Sequence, residues 1–228
     1  GALPPSSRGA DRKRRVASVH QRDALMGAGP DVSTADVAIV AYKAGNVRSV
    51  SNALSELGVN AQVTADPERL AQATHVVFPG VGHAEAAMRD LRQTGLDQVL
   101  QELRQPFLGI CLGMQLLCEH TQEQDTDGLG LLPVRVSRFP EGEKIPHMGW
   151  NSVHGLSGHP LFEGIRDGED FYFVHSYAAA PSPHTIATCR YGIAFSAALA
   201  RGNFMGVQFH PEKSAEAGRR LLANFLAM

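Results

Sequence analysis

From Val37 to about His120 the chain repeats one pattern: a short apolar run, a turn, then apolar residues at helical spacing. This alternation constrains the fold most strongly. Strands joined through helices pair in parallel and need helices on both faces of the sheet. Val37-Ala38-Ile39-Val40-Ala41-Tyr42 reads as a strand covered on both sides. Val47, Val50, Ala53, Leu54 and Leu57 follow at helical spacing, and Gly58 stops that helix. Ala61 to Thr64 is the next strand, and Asp66 and Pro67 open the next helix as cap and first residue. His75 to Phe78 is a third strand, ended by Pro79-Gly80. The helical stretch from Ala84 to Leu103 is open to division at Gly95. Phe107 to Ile110 is a fourth strand, and a helix follows from about Leu112 to His120.

After Asp125 the pattern changes. Val134-Val136, Trp150-Val153, Phe171-Val174 and Ile186-Thr188 read as short strands between Gly, Pro and Asp turns. They suit an antiparallel extension of the sheet, and an amphipathic helix, Ala215 to Leu226, closes the chain with Leu221, Leu222, Phe225 and Leu226 inward. The expected class is therefore α/β, with a mostly parallel central sheet and helices on both faces. With 228 residues and 43% hydrophobic content, the chain can bury a sizeable core and fits one domain of ordinary α/β size. Residues 1–35, rich in Arg, Pro, Ser and Gly without apolar periodicity, read as a disordered or non-native extension; 36–228 is the domain.

Composition narrows the function classes. A net charge of -2 gives no global case for nucleic acid or a membrane surface, and no apolar run is long enough to span a bilayer. Cys111, Cys118 and Cys189 show no CxxC spacing. They support neither a disulfide framework nor a zinc site and fit a reduced, cytoplasmic chain. No metal or cofactor is implied.

Three segments could carry chemistry. In Gly109-Ile110-Cys111-Leu112-Gly113-Met114-Gln115 a cysteine stands between a strand and a helix, flanked by glycines. This is the layout of a nucleophile elbow, with a helix start that favours an anionic sulfur and the Leu112 N–H placed for an oxyanion. A buried core cysteine is the other reading of the same residues. In Gln208-Phe209-His210-Pro211-Glu212 an apolar strand ends in His-Pro-Glu. Residues two apart on an extended backbone face the same way, so Glu212 could orient the His210 imidazole as a base. A solvated or core-satisfied ring is the alternative. Pro79-Gly80-Val81-Gly82 could present backbone N–H groups, although such loops are common and no phosphate-loop Lys follows.

Together these segments, in this order, resemble the triad-type (class I) glutamine amidotransferases. The resemblance implies that family's flavodoxin-like fold. It also implies Cys111 as nucleophile, His210 as base, Glu212 as its orienter, and an oxyanion site at Gly80, Val81 and Leu112. It further implies glutamine held by Gln115, Glu123 and the backbone of His175-Ser176-Tyr177. Lys144-Ile145-Pro146-His147-Met148-Gly149-Trp150-Asn151, with Tyr172 to Tyr177 and Gln208 to Ser214, is similar to the glutaminase subunits of imidazole glycerol phosphate synthases. That similarity implies a separate (β/α)₈ cyclase subunit as partner, docked near Asn46, Trp150, Tyr172 and Lys213.

Without the resemblance, Trp150 and Tyr172 read as half-buried aromatics and Lys213 as a solvated charge. The chain departs from the family at Ala41 and Lys43, where an acidic residue and a glycine are usual, beside the partner-facing loop. Two other readings remain open at this stage: a triad amidotransferase or γ-glutamyl hydrolase of another pathway, and a catalytically silent interaction subunit.

Overall fold

The structure, a computed structural model, describes residues 35–43 and 46–228. The expected N-terminal extension, save Ala35, lies outside the described residues, as do Ala44 and Gly45. The first strands and helices follow the predicted alternation: β1 (Val37–Val40), α1 (Val47–Glu56), β2 (Gln62–Thr64), α2 (Pro67–Gln72), β3 (His75–Gly80), α3 (Ala84–Thr94), α4 (Leu96–Glu102), β4 (Phe107–Cys111) and α5 (Leu112–Leu117). Asp66 caps α2 by accepting the Glu68 N–H at 3.0 Å. Gly95 divides the long helical stretch, adopting the left-handed conformation (φ 73°) that favours glycine.

Beyond α5 come β5 (Cys118–Thr121), β6 (Thr126–Asp127), β7 (Leu132–Arg138), β8 (His147–Val153), β9 (Glu169–His175), β10 (Tyr177–Ala179), β11 (Thr185–Tyr191), β12 (Ile193–Arg201), β13 (Phe204–Val207) and α6 (Ala215–Leu226). The central sheet has seven strands in the order β11-β12-β13-β4-β3-β1-β2. From β13 to β2 every pairing is parallel; β12 and β11 add an antiparallel edge.

Two details differ from expectation. The fifth helix ends at Leu117 rather than His120, because Cys118 to Thr121 pair with β7 and β6. Among the four late strand segments only Ile186-Thr188 joins the central sheet. Val134-Val136 belongs to a four-stranded sheet, β10-β7-β5-β6, and the other two form a β8-β9 ribbon. The alternation of these strands gave their type, whereas partner choice depends on long-range register.

Side chains of the central strands alternate between two cores. Val37, Ile39, Val77, Leu108 and Ile110 pack with α1 and α6. Ala38, Val40, Val76, Phe78 and Phe107 pack with α2 to α5. On α6 Leu221, Leu222, Phe225 and Leu226 are buried as predicted, and each such side chain stabilises by about 1.5–3 kcal/mol. Among the described residues no helix is long and apolar enough to cross a membrane.

Candidate active site

Three adjacent central strands deliver the candidate residues to one place. Gly80 at the end of β3 lies in register with Cys111 at the end of β4. On the other side Val207 of β13 lies in register with Ile110. The chain therefore leaves β13 beside Cys111 and reaches His210 three residues later. Ligands in open α/β sheets bind at these carboxyl ends.

Cys111 itself carries the backbone strain. Its φ is 54° with ψ -110°, a conformation that a non-glycine residue adopts at a cost of roughly 1–3 kcal/mol. Gly109 and Gly113 are not left-handed, so they do not supply the turn's freedom. They supply space. A Cβ on Gly113 would run into the Phe78 carbonyl oxygen, and one on Gly109 would sit 2.8 Å from Leu117 Cδ1. A Cβ on Gly80 would meet Gly113 N at 2.6 Å and the Tyr42 hydroxyl at 2.7 Å. The glycines thus let α5 lie against β3 and β4 close enough to hold the strained cysteine. Tyr42 also donates to the Pro79 carbonyl at 2.8 Å, fixing the strand that leads to Val81.

His210 and Glu212 meet, but not along an extended segment. Pro211–Lys213 form a turn of 3₁₀-helix, which brings Glu212 Oε1 to 2.8 Å from His210 Nδ1. Buried Ser214 locks the turn: its hydroxyl donates to the His210 carbonyl at 2.6 Å and accepts the Tyr172 N–H at 3.0 Å. The Glu212 side chain is fully buried. Burial opposes charge on His210, but the adjacent Cys111 and Glu212 outweigh it and raise its pKa to about 10. The ring is therefore protonated at neutral pH. Nε2 is buried without a hydrogen-bond partner among the described residues, so this N–H is available to a bound molecule.

A cavity of about 350 Å³ collects most of the expected residues: Val81, Cys111, Leu112, Gln115, Glu123, His175, Ser176, Tyr177 and His210. Gly80 and Glu212 do not line it. Gly80 is pressed against Gly113, and Glu212 stands behind His210. Glu123 accepts the Ala84 N–H at 2.8 Å, at the start of α3, with His83 at 3.4 Å. Gln115 donates to the Tyr177 carbonyl at 3.0 Å and to Gln208 Oε1 at 2.9 Å.

Gln208, Val174 and Pro146 were given no role by sequence. Cys111 Sγ lies 3.8 Å from Gln208 Nε2 and 3.8 Å from the Val174 carbonyl oxygen, and Pro146 lines the cavity. The expected docking residues also converge. Trp150 and Tyr172 are cross-strand neighbours with rings 6.1 Å apart, Lys213 Nζ stands 5.9 Å over the Tyr172 ring, and Asn46 donates to Glu212 at 3.4 Å. Lys43, the departure noted above, pairs with Asp90 of α3 at 3.4 Å.

The glutamine amidotransferase class-I family profile matches residues 38–228, which holds this entire constellation. The chain belongs to the class-I glutamine amidotransferases. It is 51% identical over 195 residues to imidazole glycerol phosphate synthase subunit HisH of Bacteroides fragilis, covering 84% of this chain and 99% of that one. The protein of the same name from Pasteurella multocida is 45% identical over 192 residues, with 84% and 97% covered. A solved glutamine amidotransferase structure, 21% identical, superposes with a TM-score of 0.66 over 84% of this chain and 98% of that one. The structural likeness carries the fold. The identities place this amidotransferase with the HisH glutaminase subunits.

Proposed function

We propose that this amidotransferase serves an imidazole glycerol phosphate synthase, with Cys111 as nucleophile, His210 as proton carrier and Glu212 as the group that orients and charges it. One observation carries the assignment. A strained cysteine faces the same cavity as a histidine whose far nitrogen is held at 2.8 Å by a fully buried carboxylate.

The Cys111 sulfur adds to the side-chain amide carbon of glutamine, and the carbonyl electron pair moves onto oxygen. N–H groups at Leu112 and along Gly80-Val81 would meet that oxyanion. His210 gives its Nε2 proton to the nitrogen, ammonia leaves, and a thioester remains. Water then adds while His210 takes its proton. The C–S bond breaks, the sulfur takes the bond's electron pair back beside the protonated His210, and glutamate departs as its new carboxyl group gives a proton to water. Glu123 suits the substrate's ammonium, and Gln115 and the 175–177 backbone hold its polar end.

The partner in this reading is a (β/α)₈ cyclase subunit in a heterodimer. It uses the ammonia to convert a phosphoribulosyl formimino carboxamide nucleotide into imidazole glycerol phosphate and an aminoimidazole carboxamide ribotide, in histidine biosynthesis. Asn46, Trp150, Tyr172 and Lys213 supply the docking patch. Its link to the site is short, since the Tyr172 carbonyl accepts the His210 N–H at 2.9 Å. Three free, buried thiols support a reducing, cytoplasmic setting. The test is Cys111→Ala in the complex. Glutamine-dependent synthesis should fall by about 10³-fold or more, with ammonia-dependent synthesis within about twofold. Equal loss of both would sink the division of labour.

A further inference from the structure

His147 lies in the PHMGWN stretch and touches neither Cys111 nor the cavity, yet it sits at the head of a one-way chain of hydrogen bonds. Asn151 Oδ1 accepts the Ser152 N–H at 2.9 Å, which fixes its amide so that Nδ2 donates. Nδ2 stands 3.2 Å from His147 Nε2, so that nitrogen is the acceptor and Nδ1 carries the proton. His147 Nδ1 then donates to His175 Nε2 at 3.0 Å, and His175 Nδ1 donates to the Tyr177 carbonyl at 2.7 Å. The same carbonyl accepts Gln115 Nε2, and Gln115 reaches Gln208, whose amide nitrogen approaches the Cys111 sulfur.

Every proton in the chain has one allowed place. The His147 ring is also fixed in orientation, stacked 4.1 Å from Tyr191 and 5.0 Å from Phe173. His147, His175, Gln115 and Gln208 are all buried. Burial lowers the pKa of His147 to about 4 and of His175 to about 3, which keeps both rings neutral, as a one-way chain requires.

We propose that His147 is a positioning residue for glutamine. Acting through His175, it sets the tautomer that holds the Tyr177 carbonyl and Gln115 where the substrate must be bound. This rests on the glutaminase reading above. A layer of buried histidines could also serve stability alone, so the test must separate the two nitrogens of the ring. His147→Asn puts an amide nitrogen where Nδ1 stands and keeps the donor to His175. His147→Gln puts its amide where Nε2 stands and loses that donor.

In the complex with the cyclase, the Gln variant should raise KM for glutamine about tenfold, and the Asn variant less than about threefold, with kcat nearly unchanged in both. Ammonia-dependent synthesis should be unaffected. Should the Gln variant fail to fold, Asn151→Leu tests the same chain by freeing the His147 tautomer, and KM should rise by about threefold or more. Equal KM values in the Asn and Gln variants, or an unchanged KM in Asn151→Leu, overturn the proposal. Cys111→Ala runs alongside. If it leaves glutamine hydrolysis intact, the glutaminase reading falls. If it abolishes hydrolysis while the His147 variants share one KM, only the positioning role falls.

Discussion

His210 and His175 line one cavity, yet their surroundings push the two rings in opposite directions. Both are buried, and burial disfavours charge on each. At His210 the Cys111 sulfur and the Glu212 carboxylate outweigh that cost, so the ring holds its proton up to about pH 10. His175 has only a backbone carbonyl and a neutral imidazole as partners, and the nearby charge of His210 adds to the effect of burial. The difference lies in the partners, not the depth. One corner is organised around charge that can move with the reaction; the other is organised around direction, with each donor aimed at one acceptor. A site that forms and collapses an oxyanion needs both kinds of order, and here different elements supply them: the central sheet the first, the β8-β9 ribbon the second.

The largest effect expected on this contrast comes from removing the charge behind His210. Glu212→Gln keeps the size and the oxygen that accepts from Nδ1 but deletes the carboxylate. The ring should then lose part of what holds its charge, and its pKa should fall below about 10 while Cys111 still raises it. In the complex kcat for glutamine should drop by about 10²-fold, with KM within about twofold, since the lost interaction matters most when the imidazole is charged. Ring titration by NMR and a kcat pH profile check this. A His210 that still titrates near 10 in the variant would falsify the attribution to Glu212.

Much of the charged corner was legible in the chain. Apolar runs ending at Gly80, Cys111 and His210 placed three candidate residues at strand ends, and parallel pairing brings such ends together. The glycines were legible as important but not in the right sense. GICLG suggests conformational freedom, while the structure assigns the strain to Cys111 and uses the glycines as room for α5. The overrun of the fifth helix has a similar origin: Leu116 and Leu117 continue the helical pattern, and nothing local announces that Cys118 will be claimed by β7. The neutral chain was not legible as a function. It depends on His147 standing opposite His175 across the ribbon, a register set by tertiary packing. It depends equally on the burial of Gln208, which a Gln before Phe-His-Pro does not advertise.

A smaller effect should expose the neutral chain through stability rather than rate. His147 and His175 have native pKa values of about 4 and about 3, below the 6.5 ordinary for histidine. Between these values the unfolded chain binds protons that the native rings refuse. Their contribution to stability is therefore complete above about pH 6.5 and is lost as pH falls toward about 4. His210 runs the other way: its contribution is complete below about pH 6.5 and is lost as pH rises through about 10. Thermal unfolding of wild type and His147→Asn, followed from pH 7 down to 4.5, separates the acid side. Wild type should lose a few degrees of Tm more than the variant over that range, because the variant has one fewer buried imidazole to protonate on unfolding. Parallel curves would mean that His147 takes up its proton without opening the fold. The ribbon would then be permissive toward charge, and the contrast between the two corners would lose its physical basis.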